Sequence, residues 1–76
     1  MPHATIKALA KGFLKTATKE VKKARDIIIE EGRSQAVSFV CDAIEAKTGL
    51  PSSVCRPVAK NVVQTLSKEI RKKLKP

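Results

Sequence analysis

Two cysteines, Cys41 and Cys55, and one histidine, His3, are the residues of this chain that could hold a soft metal ion or form a covalent cross-link. A structural zinc site needs about four nitrogen or sulfur ligands, and the sequence offers too few. The cysteines are also too far apart to form a Cys-x-x-Cys redox motif. We therefore predict no metal site and no cofactor.

A disulfide between Cys41 and Cys55 is the interpretation that best fits a chain of 76 residues. A domain this small buries only about 60% of the surface that its unfolded chain exposes, so its stability is marginal. A disulfide closing this 15-residue loop contributes about 3 kcal/mol in the chain-entropy model. The disulfide predicts a secreted protein, because disulfides persist in oxidising compartments. The alternative is two buried free thiols in a cytosolic domain.

The chain offers no set of residues suited to catalysis. His3 is its only imidazole and lies next to the N-terminus, while Glu30 and Glu31 are adjacent on a predicted helix and so point in different directions. No glycine-rich phosphate loop is present. We expect a protein that is not an enzyme and has no small-molecule substrate.

Positive charge is the strongest signal in the composition. Sixteen Lys and Arg residues stand against seven Asp and Glu residues, which gives a net charge of +9. Residues 1–33 hold eight Lys or Arg and four acids, residues 52–76 hold seven and one, and residues 34–51 hold one and two. The two outer segments are therefore cationic and the middle segment is not. A field of this kind concentrates polyanions such as nucleic acid or an anionic lipid surface. No stretch approaches the roughly 18 consecutive apolar residues of a transmembrane helix.

Helical periodicity predicts one all-α domain over residues 1–76, a compact bundle of three to five helices with one disulfide. A single long helix is expected over residues 4–31, since its apolar residues recur in steps of three and four. Gly12 is a possible bend within it, and Gly32 is the expected stop. The apolar stripe consists of Ile6, Leu9, Phe13, Ala17, Val21, Ala24 and Ile28.

Two further helices complete the predicted bundle. The second begins with Ser34 as its N-cap and ends at Gly49, and its wide apolar arc predicts a central helix covered on both sides by the other two. The third begins at Ser52 or Ser53 and runs to the end of the chain, with Pro57 in or near its first turn. The predicted core is Leu9, Phe13, Ala17, Val21, Ile28, Val37, Val40, Ile44, Val58, Val62, Leu66 and Ile70.

Anionic membranes are the predicted partner, because cationic amphipathic helices bind them by charge attraction and insertion of an apolar face. Each Lys or Arg near such a surface contributes about 1 kcal/mol. The predicted function is that of a secreted antimicrobial effector that binds and permeabilises anionic microbial membranes. The predicted membrane-binding residues are Lys7, Lys11, Lys15, Lys22, Arg56, Lys60, Arg71, Lys72 and Lys73.

Nucleic acid is the alternative partner. Single-stranded binding favours aromatic platforms, and the chain has only two Phe residues and no Trp or Tyr. Duplex binding needs only Lys and Arg on phosphates, and residues 43–62 have the outline of a helix-turn-helix with Gly49 in the turn. Residues 52–60 would then form the recognition helix, with Pro57 in its middle.

The segment "FVCDAIEAKTGLPSSVCRPVAKNVVQTLSKEI" resembles the central and C-terminal part of saposin-like proteins, in particular the cationic NK-lysin and granulysin type. The resemblance implies a helical bundle that engages lipid and, in the cationic branch, disrupts microbial membranes. The family has six cysteines where this chain has two. The matching positions are Cys41, Leu50, Pro51 and Cys55, followed by the basic residues Arg56, Lys60, Lys68, Arg71 and Lys72.

Overall fold

The computed structural model describes residues 3–74, which form four α-helices: α1 (His3–Thr16), α2 (Thr18–Glu30), α3 (Arg33–Thr48) and α4 (Ser52–Leu74). No strand occurs in this part of the chain. The described residues measure 39 × 22 × 20 Å along the principal axes. The predicted all-α bundle of three to five helices is confirmed.

A break at Ala17 divides the region that periodicity predicted as one helix. Ala17 leaves the helical conformation with φ −93° and ψ 58°. Its N–H donates to the Phe13 carbonyl and its carbonyl accepts from the Val21 N–H, both at 2.9 Å, so Ala17 ends α1 and begins α2. Gly12, the predicted bend, lies inside α1. The sequence does not mark the break, because Ala has no side-chain acceptor and is a poor N-cap.

Glu20 stabilises the first turn of α2, where Ala17 provides no side-chain cap. The pKa of the Glu20 carboxyl lies below its ordinary value of 4.5. The main cause is a hydrogen bond from the Glu20 backbone N–H to the carboxylate, and the positive charge of the nearby Lys47 lowers the pKa further. The Lys47 ammonium lies 3.4 Å from this carboxylate and joins α3 to α2. Because the pKa is lowered on folding, this stabilisation is present above the ordinary pKa and is lost as the pH falls through the folded value.

Two glycines end helices, as predicted. Gly32 (φ 108°) follows α2 and donates its N–H to the Ile27 carbonyl at 3.0 Å, and Gly49 (φ 71°) ends α3. Both have positive φ values that L-residues with a Cβ rarely adopt. The N-cap of α3 is Gly32 rather than the predicted Ser34. Its carbonyl already accepts from the Ala36 N–H at 3.3 Å, so the helix begins at Arg33.

Pro57 lies in the second turn of α4 without ending it. A proline at this position removes the hydrogen bond to the carbonyl four residues earlier, which belongs to Ser53. Ser53 is exposed, so water can satisfy that carbonyl. The predicted start at Ser52 or Ser53 is confirmed, and α4 continues to Leu74. The predicted continuation to the end of the chain lies outside the described residues.

The central helix is α4, whereas the sequence predicted α3. α4 packs against α1, α2 and α3, and α3 packs mainly against α4 and α2. The wide apolar arc of α3 was misleading, because Phe39 and Ala43 on that arc are half-buried and Ala46 is exposed. The buried residues of α4 form a continuous strip: Cys55, Val58, Ala59, Val62, Val63 and Leu66.

Small side chains occupy much of the interior. Ala10, Ala24, Ala36 and Ala59 are buried, although none was in the predicted core. The buried members of the predicted core are Phe13, Ala17, Val21, Val40, Ile44, Val58, Val62 and Leu66. Its remaining members, Leu9, Ile28, Val37 and Ile70, are half-buried and pack at the margin. The core therefore contains more small side chains than predicted.

Replacing Gly12 with Ala is expected to stabilise the fold by about 1 kcal/mol, the helix-propensity difference between these residues. A Cβ at Gly12 meets no atom within 4 Å, so no steric cost opposes the gain. Urea denaturation of Gly12→Ala measures the change. Gly49→Ala is the matched control and should destabilise by about 1 kcal/mol or more, because its φ is left-handed. A destabilised Gly12→Ala variant would contradict a helical α1 through this position.

Candidate functional site

The cations of α1 lie on the exposed side of the helix. Lys7, Lys11 and Lys15 follow one another at intervals of four residues and are all exposed. The opposite side of α1 buries Ala10 and Phe13 in the core. α1 contains no Asp or Glu, and like charges four residues apart repel one another on a helix. The result is a row of positive charge without a counterion on its own helix.

Few cations are paired with carboxylates. Within residues 3–74, the ion pairs are Arg25 with Glu69 at 3.0 Å and Lys47 with Glu20 at 3.4 Å. All nine predicted membrane-binding residues are exposed, and none of them takes part in these pairs. Most of the positive charge is therefore accessible to a polyanion.

Two of the predicted residues meet between α2 and α4. Lys22 and Lys73 both line an open groove of about 370 Å³, together with Ile29 and Ile70. The Arg25–Glu69 ion pair also lines this groove and connects the two helices. The groove therefore combines an apolar surface with free cations.

Two more of the predicted residues meet between α3 and α4. Arg56 and Lys60 line a shallow cleft of about 390 Å³ with the hydroxyl-bearing residues Ser34 and Ser38. Arg33 lines an adjoining cleft that also includes Lys60. Sequence reasoning missed Arg33, because nothing in the sequence indicates that the first turn of α3 lies beside the second and third turns of α4.

The remaining predicted residues are not brought together into a site. Arg71 and Lys72 are exposed near the C-terminal end of α4, in its last turn. Cations at that end interact favourably with the helix dipole.

Lys23, which the sequence analysis did not select, lies over the ring of Phe39 at 5.3 Å from the centroid and so contacts α3.

Both cysteines are free thiols, so the predicted disulfide is absent from the structure. Cys55 is fully buried, and its thiol donates to the Leu50 carbonyl at 3.4 Å. Cys41 is half-buried with its sulfur 3.9 Å from a carboxylate oxygen of Glu45. The bundle accommodates the reduced pair because Cys55 packs as a small apolar side chain.

The thiols have raised pKa values. Burial is the main cause for both, and Glu45 adds repulsion at Cys41, while neighbouring Cys41 and Glu45 raise the pKa of Cys55 further. The thiolate is the reactive form of cysteine, so these groups are poor nucleophiles at neutral pH. The pair is suited to a structural role.

The turn between α3 and α4 is closely hydrogen-bonded. The Thr48 hydroxyl donates to the Ile44 carbonyl at 2.7 Å and accepts from the Leu50 N–H at 3.2 Å. The Ser52 hydroxyl donates to the Glu45 carboxylate across the turn. Glu45 therefore fixes the start of α4 to α3, which places Cys41 near Cys55 and positions Arg56 beside α3.

Within residues 3–74, no helix has the length and apolar character needed to span a bilayer. The same residues contain no group of three or more His, Cys, Asp or Glu side chains placed to hold a metal ion. Comparison with family models, curated proteins and solved structures finds no match to this chain.

Proposed function

We propose that this protein is a secreted, cationic antimicrobial effector that binds and permeabilises anionic membranes. The observation that carries the proposal is the row of Lys7, Lys11 and Lys15, exposed on a helix that has no acidic residue. Such a row attracts an anionic surface along its length, and each cation contributes about 1 kcal/mol near that surface. The proposed likeness to saposin-like proteins of the NK-lysin type agrees with this function.

Permeabilisation requires a further step after adsorption. The apolar side chains that could enter a bilayer are buried between the helices, as Val40, Val62 and Leu66 are. The helices must therefore separate at the lipid surface to expose them. Most buried side chains are valine and alanine, which makes that separation less costly than in a bundle with large buried residues.

Binding to duplex nucleic acid is the second candidate. The cleft between α3 and α4 favours it, since Arg56 and Lys60 stand beside two serine hydroxyls and Arg33 lies next to them. These groups could contact successive phosphates, which is where most of the affinity for a duplex arises. The two functions use different parts of the protein. Duplex binding would be confined to this cleft, whereas membrane adsorption uses the whole cationic surface.

Dye leakage from vesicles, measured beside a gel shift on random duplex DNA at physiological salt, separates the two functions. We expect leakage from anionic vesicles, none from zwitterionic vesicles, and no shift. Both binding modes weaken with salt, so salt dependence alone does not distinguish them. A tight shift with intact vesicles would replace the membrane function with the nucleic-acid one.

Two variants with equal charge loss sharpen this experiment. Lys7→Gln with Lys11→Gln removes two charges from α1, and Arg56→Gln with Lys60→Gln removes two from the α3–α4 cleft. Membrane adsorption should weaken similarly in both, by about 2 kcal/mol or roughly 30-fold. A loss confined to the second variant would favour phosphate binding in the cleft.

The proposal includes a Cys41–Cys55 disulfide in the secreted protein. An oxidant such as glutathione disulfide takes the two electrons, each thiol loses one hydrogen, and two glutathione thiols result. The intact mass of unreduced protein from an oxidising compartment should be lower by two hydrogen atoms and should rise again with reductant. The oxidised form should also be more stable by about 3 kcal/mol. The mass of two free thiols in fresh, unreduced material would contradict secretion as a disulfide-bonded protein.

A further inference from the structure

The groove between α2 and α4 exposes apolar surface on an otherwise charged side of the bundle. Ile29 is 66% exposed and is the one large hydrophobic side chain that is exposed among residues 5–73. Ile70 lies in the same groove and is half-buried. Burying such a side chain is favourable, so apolar matter can bind in this groove without any rearrangement of the core.

The groove arises where the core ends. Leu66 of α4 is buried, and Ile70, one turn later, continues the same strip at its margin. On α2, Lys22, Arg25 and Ile29 line one side of the groove at intervals of three and four residues, which place them on one helix face. The Arg25–Glu69 ion pair at 3.0 Å links the two walls. The two walls of the groove are therefore held together in the folded protein before any ligand binds.

The charge around the groove selects its occupant. Lys22 and Lys73 line it and form no ion pair within residues 3–74. Arg25 is neutralised by Glu69, and Asp26 is the remaining acid in the lining. A second copy of this chain would bring another net charge of +9 and would be repelled. An anionic amphiphile satisfies the cations and the isoleucines together.

The volume of the groove, about 370 Å³, lies at the small end of the range for ligand pockets. It suits part of one acyl chain and is too small for a folded partner. The geometry points to the α2–α4 groove as the place where an anionic phospholipid of the bilayer first inserts its acyl chain into the protein. Its acyl chain lies on Ile29 and Ile70, and its phosphate lies against Lys22 and Lys73. This inference rests on the proposed membrane function and identifies where insertion begins.

A single tryptophan reports on the groove directly, because the chain contains no Trp or Tyr of its own. Ile29→Trp places the probe in the groove at an exposed position, and Gln64→Trp places it at an exposed position of α4 in the α3–α4 cleft. The vesicles contain phosphatidylglycerol and phosphatidylcholine, with or without bromine on the acyl chains. We expect a blue shift and bromine quenching for Trp at position 29, and neither change for Trp at position 64.

Co-sedimentation of the wild-type protein with the same vesicles tests membrane binding separately from insertion at the groove. Co-sedimentation with unchanged emission at position 29 would overturn the groove and leave the membrane function standing. Quenching at position 64 instead would place insertion at the α3–α4 cleft. Absence of co-sedimentation would remove the membrane function and the groove with it.

Ile29→Asn provides a test that does not use a bulky probe, with Gln64→Asn as its control. Because Ile29 is exposed, its replacement should leave thermal stability nearly unchanged. We expect slower dye leakage from anionic vesicles for Ile29→Asn, with co-sedimentation retained through the lysines. Equal leakage rates in the two variants would overturn the proposed role of the groove.

Discussion

Burial of the apolar strip of α4 is the interaction on which the rest of the structure depends. Leu66 and three valines of this strip are almost completely buried, and every other helix packs on α4. A helix of 23 residues is about 35 Å long, close to the 39 Å length of the described residues. α4 is therefore the axis of the bundle. Apart from the contact between α2 and α3, the other three helices pack mainly on α4.

The same strip limits the stability of the protein. Its buried side chains are mostly valine, alanine and cysteine, which bury less area than leucine or phenylalanine. Self-repulsion of a net charge of +9 further opposes the compact state. An anionic surface would relieve that repulsion and offer an alternative environment for the apolar strip. In the proposed function, modest stability and high positive charge thus both favour opening of the bundle at an anionic surface.

The sequence predicted the features that depend on local physics. The stripe through Phe13 and Val21, the helix ends at Gly32 and Gly49, and the start of α4 at Ser52 all follow from periodicity and backbone preference. Exposure of the lysines follows from the same periodicity. The helical class of the fold was predictable because every segment carries one of these local signals.

Features that depend on tertiary packing were not predictable. The break at Ala17 has no cap residue to mark it, and Ala17 is buried in the core at that break. The wide arc of α3 predicted a central helix, but the arc of α4 is the one that meets three partners. Arg33 and Lys60 are far apart in sequence and line one cleft only in the folded bundle.

The central claim is that the apolar strip holding the bundle together becomes exposed to lipid during permeabilisation. Bromine quenching of a Phe13→Trp variant tests it directly, because Phe13 is buried in the same core as the strip and the chain has no Trp or Tyr of its own. We expect no quenching by brominated acyl chains of zwitterionic vesicles, and quenching on anionic vesicles as leakage proceeds. Leakage without quenching at position 13 would contradict the claim, because the core would then have stayed closed to lipid.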